Sequence, residues 1–349
     1  MVQPLSRGNG RPMVGMAESG ERTNVPELSV VVPVYCNEGS LLELYGRLEA
    51  TLASSTASWE VVFVNDGSTD GSAAVLDQLL AQHRNVRVVN LSRNFGAIPA
   101  VTAGMAQARG RAVAVISADL QEPPELLPRL LDSWRSGDRV VLATRRSRAD
   151  PWTTRLFAAI FYFLFRSLVS KDMPKGGFDF FLLDRKVVQA VLASSEKNSN
   201  LSAMILWLGF QRTVVEYDRV ARRHGRSKWT FAKKLKLVYD SLFSFSYVPL
   251  RIVTGFGLLG MVLSVGYGLT VLFYRVRHPG EPPGWASLMV VTLFFDGVLL
   301  ASLGVVGEYV WRSLDAARGR PPFVIDEVRS SATNAGGSSD KEVARAGGT

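Results

Sequence analysis

The stretches LSVVVPVYCNE (28–38), WEVVFVNDGSTDGS (59–72) and AVAVISADLQEPPE (112–125) decide the fold. Each begins with a short apolar run rich in β-branched residues and ends in a polar turn. Runs that are apolar at every position are typical of strands buried on both faces of a parallel sheet. The chemistry is expected in the polar turns, because ligands bind beyond the carboxyl ends of such strands.

Segments with helical spacing alternate with these strands. Apolar residues recur every three or four positions in 41–54, 72–83 and 124–137. A further helix is predicted through 97–108, and further strands at 86–92 and 139–145. The alternation predicts an α/β fold in which helices cover both faces of a mainly parallel, Rossmann-like sheet.

The amino-acid composition excludes several classes of protein and of metal site. The 349 residues are 47% hydrophobic and 20% charged, with a mean hydropathy of +0.12 and a net charge of +9. These values exclude a disordered or collagen-like chain. The single cysteine, Cys36, excludes an intrachain disulfide and a cysteine-rich zinc site. The basic charge suits anionic lipid or phosphorylated substrates. Nucleic acid is disfavoured, because the arginines lie beside apolar segments.

Two apolar stretches near the end of the chain are long enough to cross a bilayer. Residues 252–274 contain no charged side chain, and residues 284–307 contain only Asp296. Runs of about 20 apolar residues predict transmembrane helices, and the short connection predicts a hairpin. More lysines and arginines flank its outer ends than its connection, which predicts that the catalytic domain and both termini are cytoplasmic.

The composition of the remaining segments predicts their structure. Residues 1–27 are predicted to be a flexible leader, and 312–349 a cytoplasmic tail that is disordered at its end. An aromatic segment at about 152–170 predicts a helix in the membrane interface, with an ordinary core helix as the alternative. Residues 229–251 are predicted to be a juxtamembrane amphipathic segment. Residues 28–228 are predicted to form the cytoplasmic catalytic domain.

Several polar turns carry candidate site residues. Asp66, followed by Gly67, suits a nucleotide pocket as an acceptor for a base or ribose, although Asp-Gly-Ser is also an ordinary turn. In the first turn, Tyr35 would pack against a base and Glu38 would be a second acceptor.

Asp119 ends an apolar strand, where an unpaired carboxylate is costly. Together with Gln121 it offers oxygen ligands for Mg²⁺ or Mn²⁺ beside substrate phosphates. The alternative is helix capping before the prolines that follow.

Three other features involve charged side chains in apolar surroundings. Asp179 lies in an aromatic segment and is either buried and paired or functional. Ser227 and Lys228 belong to a basic cluster at 219–228 that suits a diphosphate or lipid phosphate, or else is a solvated charge run. Asp296 is an ionisable group in a span, and a contact with a partner helix or another subunit is favoured over catalysis.

A resemblance to a known family covers about residues 28–325. It rests on eight motifs in order, followed by a predicted membrane hairpin that ends in GEYVWR: PVYCNE, VNDGSTDGS, LSRNFG, SADLQEPPE, ATRRSR, FDFFLLDR, R-x-x-R-x-x-G-x-S-K-W and FSYVPLR. The chain resembles the polyprenyl-phosphate glycosyltransferases of glycosyltransferase family two, which include bactoprenol glucosyltransferases and dolichol-phosphate mannose synthases. The resemblance implies a GT-A fold, a nucleotide-diphosphate sugar donor, a divalent metal, a polyprenyl phosphate acceptor, a plasma-membrane location and a homo-oligomer.

Matched motif by motif, the resemblance also implies roles for individual residues. Asp119 and Gln121 would hold the metal, Asp179 would lie near the acceptor, and Arg145 would approach the donor diphosphate or the acceptor phosphate. The nucleotide pocket and the loop closing over the phosphates would comprise Pro33, Tyr35, Glu38, Asp66, Ser227 and Lys228.

The sequence departs from the family pattern at two places. The acidic D-x-D triplet is replaced by Ser117-Ala118-Asp119, and the Gly-Asp-Phe-Arg element by Gly-Phe-Asp-Phe-Phe at 177–181. The first departure motivates an alternative, a membrane scaffold of the same fold that has lost metal binding. A processive polysaccharide synthase is a further alternative, although two spans and the lack of a Q-x-x-R-W element speak against it. The expected reaction is inverting transfer of a hexose, with UDP-glucose as the favoured donor and undecaprenyl phosphate as the acceptor.

Overall fold

The computed structural model describes residues 25–56, 58–145, 173–174, 177–194, 200–217, 248–277 and 284–331. An eight-stranded sheet carries helices on both faces, and two long helices lie between its seventh and eighth strands in the chain. The strands are β1 Leu28–Val34, β2 Trp59–Asn65, β3 Val86–Leu91, β4 Ala112–Val115, β5 Val140–Arg145, β6 Phe180–Asp184, β7 Arg212–Tyr217 and β8 Ile325–Ser330. The helices are α1 Leu41–Ala53, α2 Ser72–Gln82, α3 Ala97–Gln107, α4 Leu127–Arg135, α5 Arg185–Ala193, α6 Leu201–Trp207, α7 Val248–Arg277 and α8 Trp285–Ala317.

The strand order is β7-β5-β6-β4-β1-β2-β3-β8. The pairs β1–β2, β1–β4, β2–β3 and β5–β7 are parallel. Strand β6 is antiparallel to both β4 and β5. As a result, the carboxyl ends of β1 to β5 and of β7 lie at one edge of the sheet, together with the amino end of β6. This edge is called the site edge below.

Alternating side chains of the central strands fill two separate hydrophobic cores. Val30 and Val32 of β1 belong to the core beneath α1, α2 and α4, whereas Val31 belongs to the core beneath α3, α5 and α6. All three valines are completely buried. The predicted α/β fold with a Rossmann-like, mainly parallel sheet is therefore confirmed, and it is the GT-A arrangement.

The antiparallel and edge strands were not predicted from the sequence. Strand β6 separates β5 from β4, and β7 extends the sheet beyond β5. Strand β8 pairs with β3, and the ion pair between Arg329 and Asp77 (2.6 Å) supports the pairing. Residues 312–331 of the predicted tail are thus the end of α8, a short connection and a strand of the catalytic sheet.

Two helices are long and apolar enough to cross a membrane. Their candidate spans are Leu250–Val271 and Phe294–Ala317, with mean hydropathies of 1.8 and 1.4. The predicted spans 252–274 and 284–307 fall almost entirely on α7 and α8. The helices approach closely at Gly260, where an added Cβ would lie 2.4 Å from the Phe295 ring.

Some predictions concern residues outside the described part of the chain. They are the leader up to residue 24, the interfacial helix at about 152–170, most of the juxtamembrane segment 229–251, and the end of the tail. At the end of the leader, the carboxylate of Glu27 accepts hydrogen bonds from Arg135 (2.8 and 2.9 Å) and Thr56 (2.5 Å).

Two glycines in helices test the packing of the sheet. An added Cβ at Gly104 of α3 would lie 2.3 Å from Val31 Cγ1 and 2.9 Å from Val64 Cγ2, whereas Gly46 of α1 has no atom within 4 Å. We expect Gly104→Ala to lower the free energy of unfolding by about 1–3 kcal/mol through overpacking. Gly46→Ala, the matched control, is expected to raise it by up to about 1 kcal/mol. Denaturant unfolding of the detergent-solubilised chain measures both, and equal effects would contradict the close packing of α3 on the sheet.

Candidate active site

The first two loops of the site edge hold each other in place. Tyr35 follows β1 directly, and its side chain is exposed. The Glu38 carboxylate accepts a hydrogen bond from Gly71 N (3.1 Å), and the backbone N–H of Glu38 donates to Asp70 (3.3 Å). Pro33 lies opposite Val64 in the β1–β2 register. The predicted nucleotide-pocket residues Pro33, Tyr35 and Glu38 therefore lie on one strand and the loop that follows it.

Asp66 joins the second loop to the start of α3. Its two carboxylate oxygens accept hydrogen bonds from Phe95 N (2.7 Å) and Gly96 N (2.9 Å). Burial raises the pKa of this carboxyl group, although the two N–H groups and Arg93 act in the opposite direction. Gly67 has φ +63°, and an added Cβ would lie 2.7 Å from Asn94 N, so the second and third loops touch backbone to backbone.

The segment after β4 reverses direction between the two predicted metal ligands. Leu120 has φ +59°, a conformation that costs a non-glycine residue about 1–2 kcal/mol. The reversal buries the Leu120 side chain in the core and leaves Asp119 and Gln121 partly exposed on either side of it. Asp119 Oδ1 accepts a hydrogen bond from Gln121 N (3.2 Å), and Ser40 Oγ donates to the carbonyl of Ala118 (2.6 Å).

Arg145 and Asp179 form an ion pair at the site edge, with 2.9 Å between Nη2 and Oδ2. The two meet because Arg145 ends β5 and Asp179 immediately precedes the antiparallel β6. Tyr217 is the register partner of Arg145 on β7, and its hydroxyl oxygen accepts a hydrogen bond from the guanidinium. Burial and the charge of Glu122 raise the pKa of Tyr217 to about 12, so this hydroxyl stays protonated.

Glu122 lies beneath this ion pair and is 1% exposed. Its Oε2 accepts a hydrogen bond from Ser117 N (3.2 Å), and its Oε1 lies 3.9 Å from Arg145 Nη2. Burial raises the pKa of Glu122, and the charges of Asp179 and Asp119 add to this effect, whereas Ser117 and Arg145 oppose it. At this end of the sheet, the charges of two further carboxylates therefore act on the buried Glu122 together with one guanidinium.

Comparison with known proteins identifies the family. Residues 29–192 match the model of glycosyl transferase family 2. An uncharacterized glycosyltransferase of Synechocystis sp. is 39% identical over 303 residues, which cover 86% of this chain and 95% of the relative. The bactoprenol glucosyl transferase of Shigella phage SfV is 34% identical over 300 residues, 86% of this chain and 98% of the relative. A prophage bactoprenol glucosyl transferase homolog of Escherichia coli is 32% identical over 304 residues, 87% and 99% of the two chains.

The chain belongs to glycosyltransferase family 2. It is an enzyme of the glycosyltransferase class, as the sequence motifs indicated.

Two oxygen-bearing side chains at the site edge of the glycosyltransferase fit a hard divalent cation. Asp119 and Gln121 offer a carboxylate and an amide oxygen, and the excess of carboxylates over cations around them favours positive charge. Within the described residues, no three Asp, Glu, His or Cys side chains converge as a self-sufficient metal site. This donor set suits Mg²⁺ or Mn²⁺ that takes further ligands from substrate phosphates.

Sequence reasoning missed two members of this site. Glu122 belongs to the SADLQEPPE motif, but its neighbours suggested a turn before a helix and gave no signal of burial against Arg145. Tyr217 lies on a strand that was not predicted. Ser227 and Lys228, the predicted phosphate-loop residues, lie outside the described part of the chain.

The double hydrogen bond of Asp66 gives a stability prediction. Asp66→Asn keeps one acceptor oxygen but turns an NH₂ group toward the N–H of Phe95 or Gly96. We expect the free energy of unfolding to fall by about 1–3 kcal/mol, since a buried donor loses its acceptor. Asp132→Asn is the control, because that side chain is 71% exposed and its loss changes stability by less than about 0.5 kcal/mol. Equal unfolding midpoints for the two variants would contradict the role of Asp66 in fixing the third loop.

Proposed function

We propose that the enzyme is a membrane-bound inverting hexosyltransferase. It moves a hexose, with glucose favoured, from a nucleotide-diphosphate sugar such as UDP-glucose to a polyprenyl phosphate such as undecaprenyl phosphate. The product is a lipid-linked sugar for modification of cell-envelope glycans. The observation that carries the proposal is Arg145, held by Asp179 and Tyr217 at the site edge that also carries Asp119. A phosphate-bearing substrate at this edge would meet positive charge from Arg145 and oxygen atoms from Asp119.

The names of the relatives favour this acceptor and this sugar. Bactoprenol glucosyl transferases match 97–99% of their own length with this chain, so the similarity extends beyond the catalytic domain to the two long helices. A lipid carrier for glucose is therefore the first choice among acceptors of the family.

The path of the chain supports a membrane hairpin with the catalytic domain and both termini on one side. Helix α8 leads into β8 after seven residues, so the outer end of this helix returns to the catalytic sheet. The close approach at Gly260 and Phe295 suits two antiparallel helices packed in lipid. We place the catalytic domain in the cytoplasm at the plasma membrane, because lysines and arginines dominate the outer flanks.

A homo-oligomer is part of the proposal. The Asp296 side chain is exposed on α8 in the single chain, at about one third of the helix length from Trp285. A carboxylate facing hydrocarbon costs about 2.5–3.5 kcal/mol, so a second copy that covers it would remove this cost.

The chemistry follows from the charges of the reacting groups. A phosphate acceptor is already anionic at neutral pH, so the enzyme needs no strong general base. In one displacement the acceptor oxygen forms a bond to the sugar C1 as the bond from C1 to the donor diphosphate breaks, with inversion at C1. Arg145 stabilises the negative charge of the phosphates, and Asp179, through its ion pair with Arg145, orients the acceptor. A bound Mg²⁺ or Mn²⁺, held by Asp119 and Gln121, would neutralise charge on the departing diphosphate.

The direct test incubates membranes containing the enzyme with undecaprenyl phosphate and a panel of nucleotide sugars, and analyses the lipid by mass spectrometry. We expect a hexosyl lipid with UDP-glucose in the presence of Mg²⁺ or Mn²⁺, and its loss on chelation. Asp119→Ala is expected to lower the transfer rate at least about 100-fold, because one of two metal ligands is removed. The control Asp132→Asn is expected to transfer like the wild type. A folded wild-type chain that transfers none of the sugars would favour the scaffold alternative.

The role of Asp179 has its own test. Asp179→Asn removes the charge that pairs with Arg145 and keeps the shape of the side chain. We expect a raised KM for the polyprenyl phosphate, a lower kcat and a nearly unchanged KM for the donor. Asp138→Asn, a variant at the opposite edge of the sheet, is the control. Full turnover together with an unchanged KM for the acceptor would contradict an orienting role.

A further inference from the structure

The Arg145 guanidinium is flanked by two carboxylates of very different exposure. The side chain of Asp179 is 70% exposed and lies 2.9 Å from Nη2, whereas that of Glu122 is 1% exposed and lies 3.9 Å from the same atom. The exposed partner is free to exchange with solvent or substrate. The buried partner is fixed by the core around it.

The distance between Glu122 and Arg145 is too long for a hydrogen bond but short enough for strong attraction. Charges about 4 Å apart inside a protein interact by several times the thermal energy. Glu122 therefore attracts the guanidinium without occupying its N–H groups. These groups stay available for Asp179, Tyr217 or a phosphate oxygen.

Glu122 also holds the segment that carries the predicted metal ligands. The backbone N–H of Ser117 donates to Oε2 (3.2 Å). Ser117 precedes Asp119 by two residues, so one buried carboxylate connects the Asp119 segment with the end of β5. An aspartate at position 117 would place a further negative charge near Glu122, whereas a serine adds no charge.

We propose that Glu122 is a positioning residue: it is the fixed counter-ion that keeps Arg145 in place while Asp179 gives way to a substrate phosphate. The inference rests on the proposed function, because it assigns Arg145 to a phosphate group. Glu122 itself touches no substrate and acts through Arg145 and Ser117.

A substitution that removes the charge of Glu122 but keeps the shape of its side chain tests this role. Glu122→Gln keeps an oxygen that accepts from Ser117 N but removes the charge that faces Arg145. We expect kcat to fall about 10-fold or more and KM for the polyprenyl phosphate to rise, with KM for the donor changed less than about threefold. Glu122→Asp keeps the charge one methylene further away, and we expect it to recover a large part of the lost turnover. Glu125→Gln is the matched control, because Glu125 is exposed on the same segment and pairs with Arg47.

Two further measurements separate positioning from folding and from the assignment of the reaction. The thermal unfolding midpoint of Glu122→Gln is expected to match or exceed that of the wild type, since a buried charge is removed and Arg145 keeps two partners. Calorimetric binding of farnesyl phosphate, a short prenyl phosphate, is expected to weaken at least about fivefold in Glu122→Gln and to stay unchanged in Glu125→Gln. This binding does not require sugar transfer.

The results of these experiments distinguish failure of the inference about Glu122 from failure of the proposed function. Wild-type turnover and wild-type farnesyl phosphate binding in Glu122→Gln would overturn the inference alone. Equal loss of activity in the Gln and Asp variants with lowered unfolding midpoints would also overturn it, in favour of a purely structural role. A wild-type chain that neither transfers sugar nor binds prenyl phosphate would overturn the proposed function and, with it, this inference.

Discussion

The burial of continuous apolar strands on both faces of one sheet is the constraint on which the structure depends. Valines at successive positions of β1 point into two different cores, so helices must cover both faces. Parallel neighbours then require crossover helices, and the carboxyl ends of the strands gather at one edge. The polar turns of the sequence meet there because of this topology, although they are far apart in the chain.

Several carboxylates lie at that edge of the sheet, so the site is rich in negative charge. The charges of Asp119 and Asp179 act on the buried Glu122, and Arg145 interacts with Glu122 and Asp179. Crowding of negative charges is costly for the folded chain unless cations balance it. The replacement of the first acid of the family triplet by Ser117 fits this view, since the backbone N–H of Ser117 donates to Glu122 and the serine side chain adds no charge that would repel it.

Strand β8 joins the catalytic sheet to the second long helix. Seven residues separate the end of α8 from a strand that pairs with β3, so the end of this helix is held close to the sheet. Four of the six residues of this strand are charged or polar, and nothing in their local pattern distinguished them from the polar tail that follows. Pairing with β3, and the ion pair of Arg329 with Asp77, stabilise the strand through partners more than 200 residues away.

The sequence by itself determined the class of fold, the central parallel strands and the two long apolar helices, because hydrophobic periodicity and length are local properties. Its ordered motifs indicated the family by resemblance. It also singled out Asp66 and Asp119 in polar turns, and Asp179 in an aromatic segment, as candidate site residues. Only the tertiary structure decided that β6 lies between β4 and β5, which brings Asp179 against Arg145. Likewise, only the packed core showed that Glu122 is buried beside Arg145 and that Asp66 caps the third loop. These relations depend on contacts between residues distant in the chain, and no local pattern records the partner of a strand or the depth of a side chain.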